Sequence, residues 1–513
     1  MTPRTQNLGQ KTARGMAMLT AQTLLGKVIS SLGQLVLAWI LVPEAFGLVA
    51  LAYTVMSFSR IIEQIGLREI LIRAQDRFER WENSAMWLAG LLGLGVGVVT
   101  LATAPLAATL FEAPGITGLI WVLAAATPFW SLSQICEAKL ERDLRFARVT
   151  TIQFGAQTGQ VVLSVVFALI GFGAYSFVAP RLVVGIVKLV YVWRMVRPRV
   201  RKSPQLHRWG ALVRQGLPIT GAVLFQTITA NADYFVLGLI ATKAVVGFYF
   251  FAFNQSTQIV QIFASNLMRV MVPSLSTLKD DPKRQVDAFL RGTRLLACAA
   301  APLCVMQAAC AGPTLRLLYG ERWVEAIPLL QILSSAAVFG FISWPTISLL
   351  MAQGRYTTRM VLTGCAAGVF TLVVTIGALV GREFEAPALG AAIAVACYRV
   401  VMSPMQAYVA CRSAGVRWAT ILHVFFMAAL GAGLTIGPAW WLGTTLPGLV
   451  LHDAGGHGIV HELMHVAIVL TLGPSLYVAW LRLSQRELWR ELVSRGLGVL
   501  PGGVARRVPA WVR

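Results

Sequence analysis

Charge is scarce in this chain, and negative charge scarcest. Only 13% of the 513 residues are charged, with 22 Asp and Glu against 44 Lys and Arg. So little charge cannot clothe a water-facing surface, and 57% hydrophobic residues with a mean hydropathy of +0.68 exclude a soluble globular protein. Cysteine is sparse too: Cys136, Cys298, Cys304, Cys310, Cys365, Cys397 and Cys411 all fall within or at the ends of apolar runs. That excludes a disulfide framework and makes them small packing residues. A cleavable signal peptide is not expected, because the first apolar run is too long for an h-region and no small-residue cleavage site follows it. The basic residues form no single patch; they are scattered between apolar runs, which argues against nucleic acid as a partner.

Apolar runs are what the chain has in quantity. Residues 16–42 and 48–66 form a membrane hairpin around the Pro43-Glu44-Ala45-Phe46-Gly47 turn, with a basic segment, 67–80, behind it. Further spans are expected at 84–110, 116–136, 149–170, 175–193, 217–241, 245–271, 295–318, 326–350, 360–380, 387–411, 419–442 and 459–481. This makes an all-α integral membrane protein of about 14 helices, since only helices and closed barrels satisfy their backbone in lipid. One set of loops holds Arg68, Arg73, Arg77, Arg80, Arg142, Arg145, Arg148, Arg197, Arg201 and Lys202 among others, while the opposite set holds only Lys243, Arg316, Arg322 and Arg382. A bias of roughly thirty to four puts both termini in the cytoplasm.

The basic linker at 197–214 separates six spans (1–196) from the next six (215–414), leaving two extra spans in 415–482 and a basic tail at 483–513. Gly47 after Pro43 and Gly247 after Thr242 turn corresponding helices. Leu110-Phe111-Glu112 followed by Arg145-Phe146 has a counterpart in Leu318-Tyr319-Gly320 followed by Arg355-Tyr356. An even number of helices per half makes this a parallel repeat.

These segments, with Gly66-Leu67-Arg68-Glu69-Ile70-Leu71-Ile72-Arg73, Tyr319-Gly320-Glu321-Arg322-Trp323 and Gln353-Gly354-Arg355, resemble the polysaccharide-exporting branch of the multidrug/oligosaccharidyl-lipid/polysaccharide flippase superfamily. Within it, the chain is most similar to the Wzx-type flippases of the colanic-acid-like and xanthan-like subgroup, over about its first 415 residues. The resemblance implies two six-helix lobes forming a V around a central cavity. It also implies alternating access, the bacterial inner membrane, and export of undecaprenyl-pyrophosphate-linked oligosaccharide in exopolysaccharide or lipopolysaccharide synthesis. A proton or sodium ion, membrane lipids, and a polymerase or chain-length regulator would be the further partners. Lipid II flippases and drug/cation antiporters share the superfamily. A membrane glycosyl polymerase or ligase ranks lower, because the longest outer loop, 443–458, is modest.

Moving a sugar-pyrophosphate head through hydrocarbon requires hydrogen-bond partners for hydroxyls and cations for phosphate. Lys27, 13 residues beyond Arg14, lies roughly 20 Å into its span at 1.5 Å per residue. It is a candidate phosphate partner, the alternatives being snorkelling or pairing with an acid. Arg60 near the cytoplasmic end of the second span is another, unless Glu63, one turn on, neutralises it. Gln22, Gln34 and Gln64 add polar groups in the first half. In the second half, Gln226 and Asn231 share a span with Asp233, while Asn254, Gln258 and Gln261 line one helical face that meets either a cavity or a neighbouring helix. Asp233 and Glu63 are candidate ion-coupling acids, and for Asp233 pairing or capping by Asn231 is the alternative. Arg181, Lys188 and Arg399 are further intramembrane cations, facing either the cavity or lipid phosphates.

His461-Glu462-Leu463-Met464-His465 fits the H-E-x-x-H zinc-protease pattern, with His452 and His457 just upstream. No distinctive third ligand accompanies it, Asp453 being too local, so no metal, cofactor or catalysis is expected and interfacial polar residues are the simpler reading. The tail from Arg482 to Arg513 alternates Arg with Leu, Trp and Val, as an interfacial segment on anionic lipid or a partner contact does.

Overall fold

A computed structural model describes residues 22, 25–63, 65–73, 78–143, 145–198, 200–278, 280–451, 458–486 and 489. Among the described residues the regular structure is entirely helical: α1 (Leu25–Ile40), α2 (Pro43–Glu63), α3 (Leu67–Arg73), α4 (Phe78–Leu110), α5 (Ile116–Arg142), α6 (Phe146–Leu169), α7 (Tyr175–Val196), α8 (Trp209–Ile240), α9 (Lys243–Ser276), α10 (Pro282–Ala309), α11 (Ala311–Tyr319), α12 (Ala326–Ala352), α13 (Tyr356–Glu383), α14 (Pro387–Cys411), α15 (Trp418–Leu451) and α16 (Ile459–Ser484), with three short 3₁₀ turns. Among the described residues, twelve helices are long and apolar enough to cross a membrane. The other two expected spans are the shorter apolar α1 and the 34-residue α9. All seven cysteines are unpaired.

Two helices differ from the hydropathy reading. The segment 273–291, left between the expected spans 245–271 and 295–318, is helical up to Ser276 and again from Pro282. Gln285, Val286, Phe289 and Thr293 are buried at helical spacing while Lys283, Arg284 and Arg291 face out, so an amphipathic stretch carries α10 beyond its apolar part. Asp281 caps it by accepting a hydrogen bond from the Arg284 N–H at 3.1 Å. The span 295–318 is broken at Cys310 into α10 and α11. Pro313 has no N–H to give the carbonyl of Ala309, which ends the continuous ladder there.

The chain divides into two compact units, Met1–Phe251 with Met360–Ala394 and Ala252–Arg359 with Val395–Arg513. In the first, α5 packs on α4, α7 and α2, α6 packs on α7, and α2 packs on α8. Leu67, Leu71, Phe78, Met86, Ile135 and Leu212 form a core under the α2–α3 turn. Gly66 makes that turn at φ +61°, a conformation that a side chain strains. The turns before α2 and before α9 meet directly. A Cβ on Gly47 would lie 1.8 Å from the Lys243 carbonyl oxygen, and one on Gly247 1.9 Å from the Pro43 carbonyl oxygen. The two glycines that match in sequence are thus reciprocal partners in space. Phe46 fills the surroundings, edge-on to Phe177 and Phe251 with ring centroids 5.0 and 6.1 Å away.

In the second unit α10 packs on α12, α15 and α16, and α15 pairs with α16. Tyr477 donates a 2.9 Å hydrogen bond to the Cys298 carbonyl, linking α16 to α10.

Candidate functional site

Between α2 and α8, inside the first unit, lies a cavity of about 250 Å³. Ser57, Arg60 and Ile61 line it from α2 at helical spacing, and Val223, Gln226, Thr227, Ala230 and Asn231 line it from α8 in the same way. Arg60 stands three residues before the C-terminus of α2, where the helix dipole favours a cation. It makes no hydrogen bond or ion pair among the described residues, which leaves its guanidinium available. The Ser57 hydroxyl donates to the Tyr53 carbonyl at 2.7 Å, so its oxygen still accepts. Asn231 donates from Nδ2 to the Thr227 carbonyl at 2.9 Å, leaving its amide oxygen uncommitted. A fixed cationic fork beside amide and hydroxyl groups suits a ligand carrying both phosphate and hydroxyls. Three residues singled out in the sequence, Arg60, Gln226 and Asn231, are brought together here.

Glu63 is one turn further along α2. It is buried and lines a second cavity, about 70 Å³, with Gly66, Arg68, Ser131 and Gln134; Val223 borders both cavities. The expected Arg60–Glu63 neutralisation acts only through space, since no ion pair within 4.0 Å joins them among the described residues. Arg181 of α7 belongs to the same electrostatic group, acting on Arg60, Glu63 and Tyr53. Its guanidinium carbon sits 5.0 Å above the Trp130 ring, whose indole N–H donates to the Arg181 carbonyl at 3.0 Å.

The remaining candidates are placed elsewhere. Lys27 is half-buried on α1, which is tied to α6 by Gln157 donating to Ser30 at 2.7 Å. Gln22 Nε2 reaches Thr151 at 3.5 Å, and Gln34 is half-buried on α1. Gln64, His452, Asp453, His457 and the tail beyond Trp489 lie outside the described residues. Asp233 is fully buried; Tyr249 O–H donates to Oδ2 and the Tyr234 N–H to Oδ1, each at 2.9 Å. In the second unit, Gln258 donates to Gln255 Oε1 at 3.2 Å, Gln307 of α10 donates to the Gln255 carbonyl at 3.0 Å, and Ser334 of α12 donates to Gln307 at 3.3 Å. The α9 backbone thus meets α10 at Gln255; Asn254 is half-buried beside it, and the Gln261 side chain lies outside those described. Arg399 lies 5.4 Å over the Phe253 ring.

Lys188 faces neither cavity. Its Nζ is 2.5 Å from Glu137 Oε1 and 4.5 Å from the Trp130 ring centroid. Reading the sequence alone passed over Glu137, because hydropathy ended that span at Cys136; its helical spacing to Glu141 was the available signal. Glu462 of the H-E-x-x-H pattern is buried and paired with Arg316 of α11 at 3.2 Å, and His465 is buried against Gly443 of α15. These contacts join α16 to α11 and α15.

Residues 36–328 match the family described as "Polysaccharide biosynthesis protein". The chain belongs to that family. Among curated relatives, the succinoglycan biosynthesis transport protein ExoT of Rhizobium meliloti (strain 1021) is 28% identical over 58% of this chain and 60% of its own length. The lipopolysaccharide biosynthesis protein WzxC of Escherichia coli (strain K12) is 23% identical over 68% of this chain and 71% of its own. The match thus spans about three fifths of the Rhizobium protein. Among solved structures, lipid II flippase MurJ in an inward closed conformation superposes with a TM-score of 0.70 at 12% identity, covering 91% of this chain and 99% of that one. An inward-facing multidrug resistance MATE family transporter of the MOP superfamily gives 0.58 at 15% identity, over 77% and 95%. At these identities the likeness shows the fold: this member of the polysaccharide biosynthesis family has the helical architecture of that superfamily.

Proposed function

We propose that this protein moves undecaprenyl-pyrophosphate-linked oligosaccharide from the cytoplasmic to the periplasmic leaflet of the bacterial inner membrane, by alternating access between two lobes at 1–196 and 215–414. Both termini are cytoplasmic in this reading. The product feeds exopolysaccharide or lipopolysaccharide assembly, with a polymerase and chain-length regulator downstream.

The observation that carries the proposal is the α2–α8 cavity, where Arg60 stands among Ser57, Gln226, Thr227 and Asn231 on two largely apolar helices. A cation in a membrane span is costly and persists where it has work to do. Here the guanidinium takes the pyrophosphate in a bidentate grip, and the amides and hydroxyls replace the water around the first sugar. The isoprenyl tail stays in the bilayer. Lys27 provides a second phosphate contact in this account, and Asn254 and Gln258 serve the sugar from the second lobe. Glu63 and Asp233 are the two acids available for ion coupling; Glu63 borders a cavity, whereas Asp233 is held by Tyr249.

A second reading, transport of lipid II itself, is favoured by the extent of the MurJ superposition. Lipid II carries the same isoprenyl pyrophosphate and differs in its sugars. A drug antiporter fits less well, because a guanidinium at the cavity wall repels cationic apolar drugs. Arg60→Ala at normal protein level tests the proposal in cells. Loss of surface polysaccharide is expected, and full export overturns it.

A further inference from the structure

The linker that joins α7 to α8 is fastened to the start of α4 by hydrogen bonds that a plain connection does not need. Asn83, 5% exposed, uses both ends of its amide: Oδ1 accepts from the Arg201 N–H and Nδ2 donates to the Ser203 carbonyl, each at 2.7 Å. The Trp87 indole N–H donates to the Arg201 carbonyl at 2.9 Å. The fully buried Ser84 donates to Gln205 Oε1 at 3.1 Å, anchoring a residue at φ +51°, a left-handed conformation that costs a non-glycine residue energy. Residues 201–203 are thereby fixed at the backbone, while the side chains of Arg201 and Lys202 stay exposed.

Two further features meet at this place. Trp87 is itself 42% exposed and heads a row of exposed apolar residues, Leu91, Leu94 and Val98, along one face of α4. The surroundings are cationic. Arg80 is exposed one turn before the clamp, and Arg208 donates to the Arg80 carbonyl. Residues 197–208 contain no acid, Glu82 is taken by Lys139 at 2.8 Å, and Glu79 is the exposed acid of the first α4 turn.

We infer that this surface binds one anionic phospholipid, its phosphate on Arg201 and Lys202 and an acyl chain along Leu91, Leu94 and Val98. The guanidinium offers a fork that matches phosphate, and the ammonium adds a second charge. Indole rings favour the boundary between headgroups and hydrocarbon, which is where Trp87 then stands. A zwitterionic lipid brings an ammonium that the same cations repel, so the preference is for net negative charge. The inference does not depend on what the α2–α8 cavity carries. It gives the clamp a purpose: the lipid offsets the repulsion among Arg80, Arg201, Lys202 and Arg208. Lipid binding and seating of the linker on α4 therefore support one another, and the coupling is reciprocal.

The test uses the full-length protein in dodecyl maltoside, with dioleoyl phosphatidylglycerol and dioleoyl phosphatidylcholine as probes and native mass spectrometry counting bound lipid. Wild type is expected to hold one phosphatidylglycerol at least ~10-fold more tightly than phosphatidylcholine. Arg201→Ala combined with Lys202→Ala should remove that preference. Asn83→Ala leaves every charge in place and should weaken phosphatidylglycerol by ~5-fold, the effect of about one lost hydrogen bond. Trp87→Phe should act in the same direction and serves where Asn83→Ala does not fold. Lys283→Ala combined with Arg284→Ala takes an equal charge from the start of α10 and should leave the preference unchanged. No preference for phosphatidylglycerol, an equal loss in the α10 variant, or full preference in both Asn83→Ala and Trp87→Phe overturns the site. Farnesyl pyrophosphate is the competing probe, measured in an Arg60→Ala background. If it binds more tightly than phosphatidylglycerol, and through Arg201 and Lys202, the occupant is an isoprenyl pyrophosphate and the phospholipid assignment falls.

Discussion

Lys188→Met separates a structural cation from a transporting one. Lys188 Nζ lies 2.5 Å from Glu137 Oε1, and the two side chains are 7% and 4% exposed. Gln153 adds a weak 3.4 Å hydrogen bond to the other Glu137 oxygen, and the Trp130 ring covers the ammonium at 4.5 Å. Methionine keeps most of the lysine stem but leaves Glu137 charged, buried and without its partner. Removing one member of such a pair costs ~3–5 kcal/mol, and ~4 kcal/mol is about a thousandfold in the unfolding equilibrium. Glu137→Gln should also destabilise, whereas the double variant Lys188→Met with Glu137→Gln leaves no stranded charge. It should cost much less than the sum, with a coupling energy of at least ~1.5 kcal/mol, well outside the ~0.5 kcal/mol within which independent sites add. Equilibrium unfolding of the four proteins in mixed micelles, followed by tryptophan fluorescence, measures the cycle. Additive effects, or a single Lys188→Met cost below ~1 kcal/mol, would refute the buried-pair account.

Other predictions follow from particular contacts. Gly47→Val and Gly247→Val each drive a side chain into the facing turn, and overpacking of this kind costs ~1–3 kcal/mol; lower thermal stability checks it, and unchanged melting of both refutes the reciprocal contact. Tyr249→Phe strips Asp233 of a donor and should cost ~1–3 kcal/mol, with Asp233→Asn in that background recovering part of the loss in the same assay. Arg316→Ala removes an ion-pair partner of the buried Glu462 and should lower the melting temperature in the same assay, an unchanged melting temperature refuting the structural role of the pair.

The helices were legible because each long apolar run must satisfy its backbone internally in lipid, and turns such as Pro43–Gly47 punctuate the runs. The matched glycines were legible as a pattern, and only the structure shows that they touch. Arg60, Gln226 and Asn231 could be chosen as polar residues on apolar helices; that α2 and α8 set them around one cavity is a matter of tertiary packing. Glu137 was hidden because a window of hydropathy treats a buried acid as the end of a span, blind to the lysine that neutralises it from α7. Asn254, Gln258 and Gln261 show the limit of periodicity: a polar stripe has the same period whether it meets a cavity or a neighbouring helix. The end of α10 escaped for the related reason that an amphipathic helix leaving the membrane is as polar as a loop.

The most direct measurement is translocation itself. Proteoliposomes containing the full-length protein and a fluorescent undecaprenyl-pyrophosphate-linked oligosaccharide report movement between leaflets when an impermeant quencher reaches the outer one. Protein-dependent equilibration that is lost in Arg60→Ala, with the variant reconstituted to the same level and melting like wild type, is the result predicted. Equilibration by Arg60→Ala at the wild-type rate would contradict the claim that the α2–α8 cavity carries the pyrophosphate.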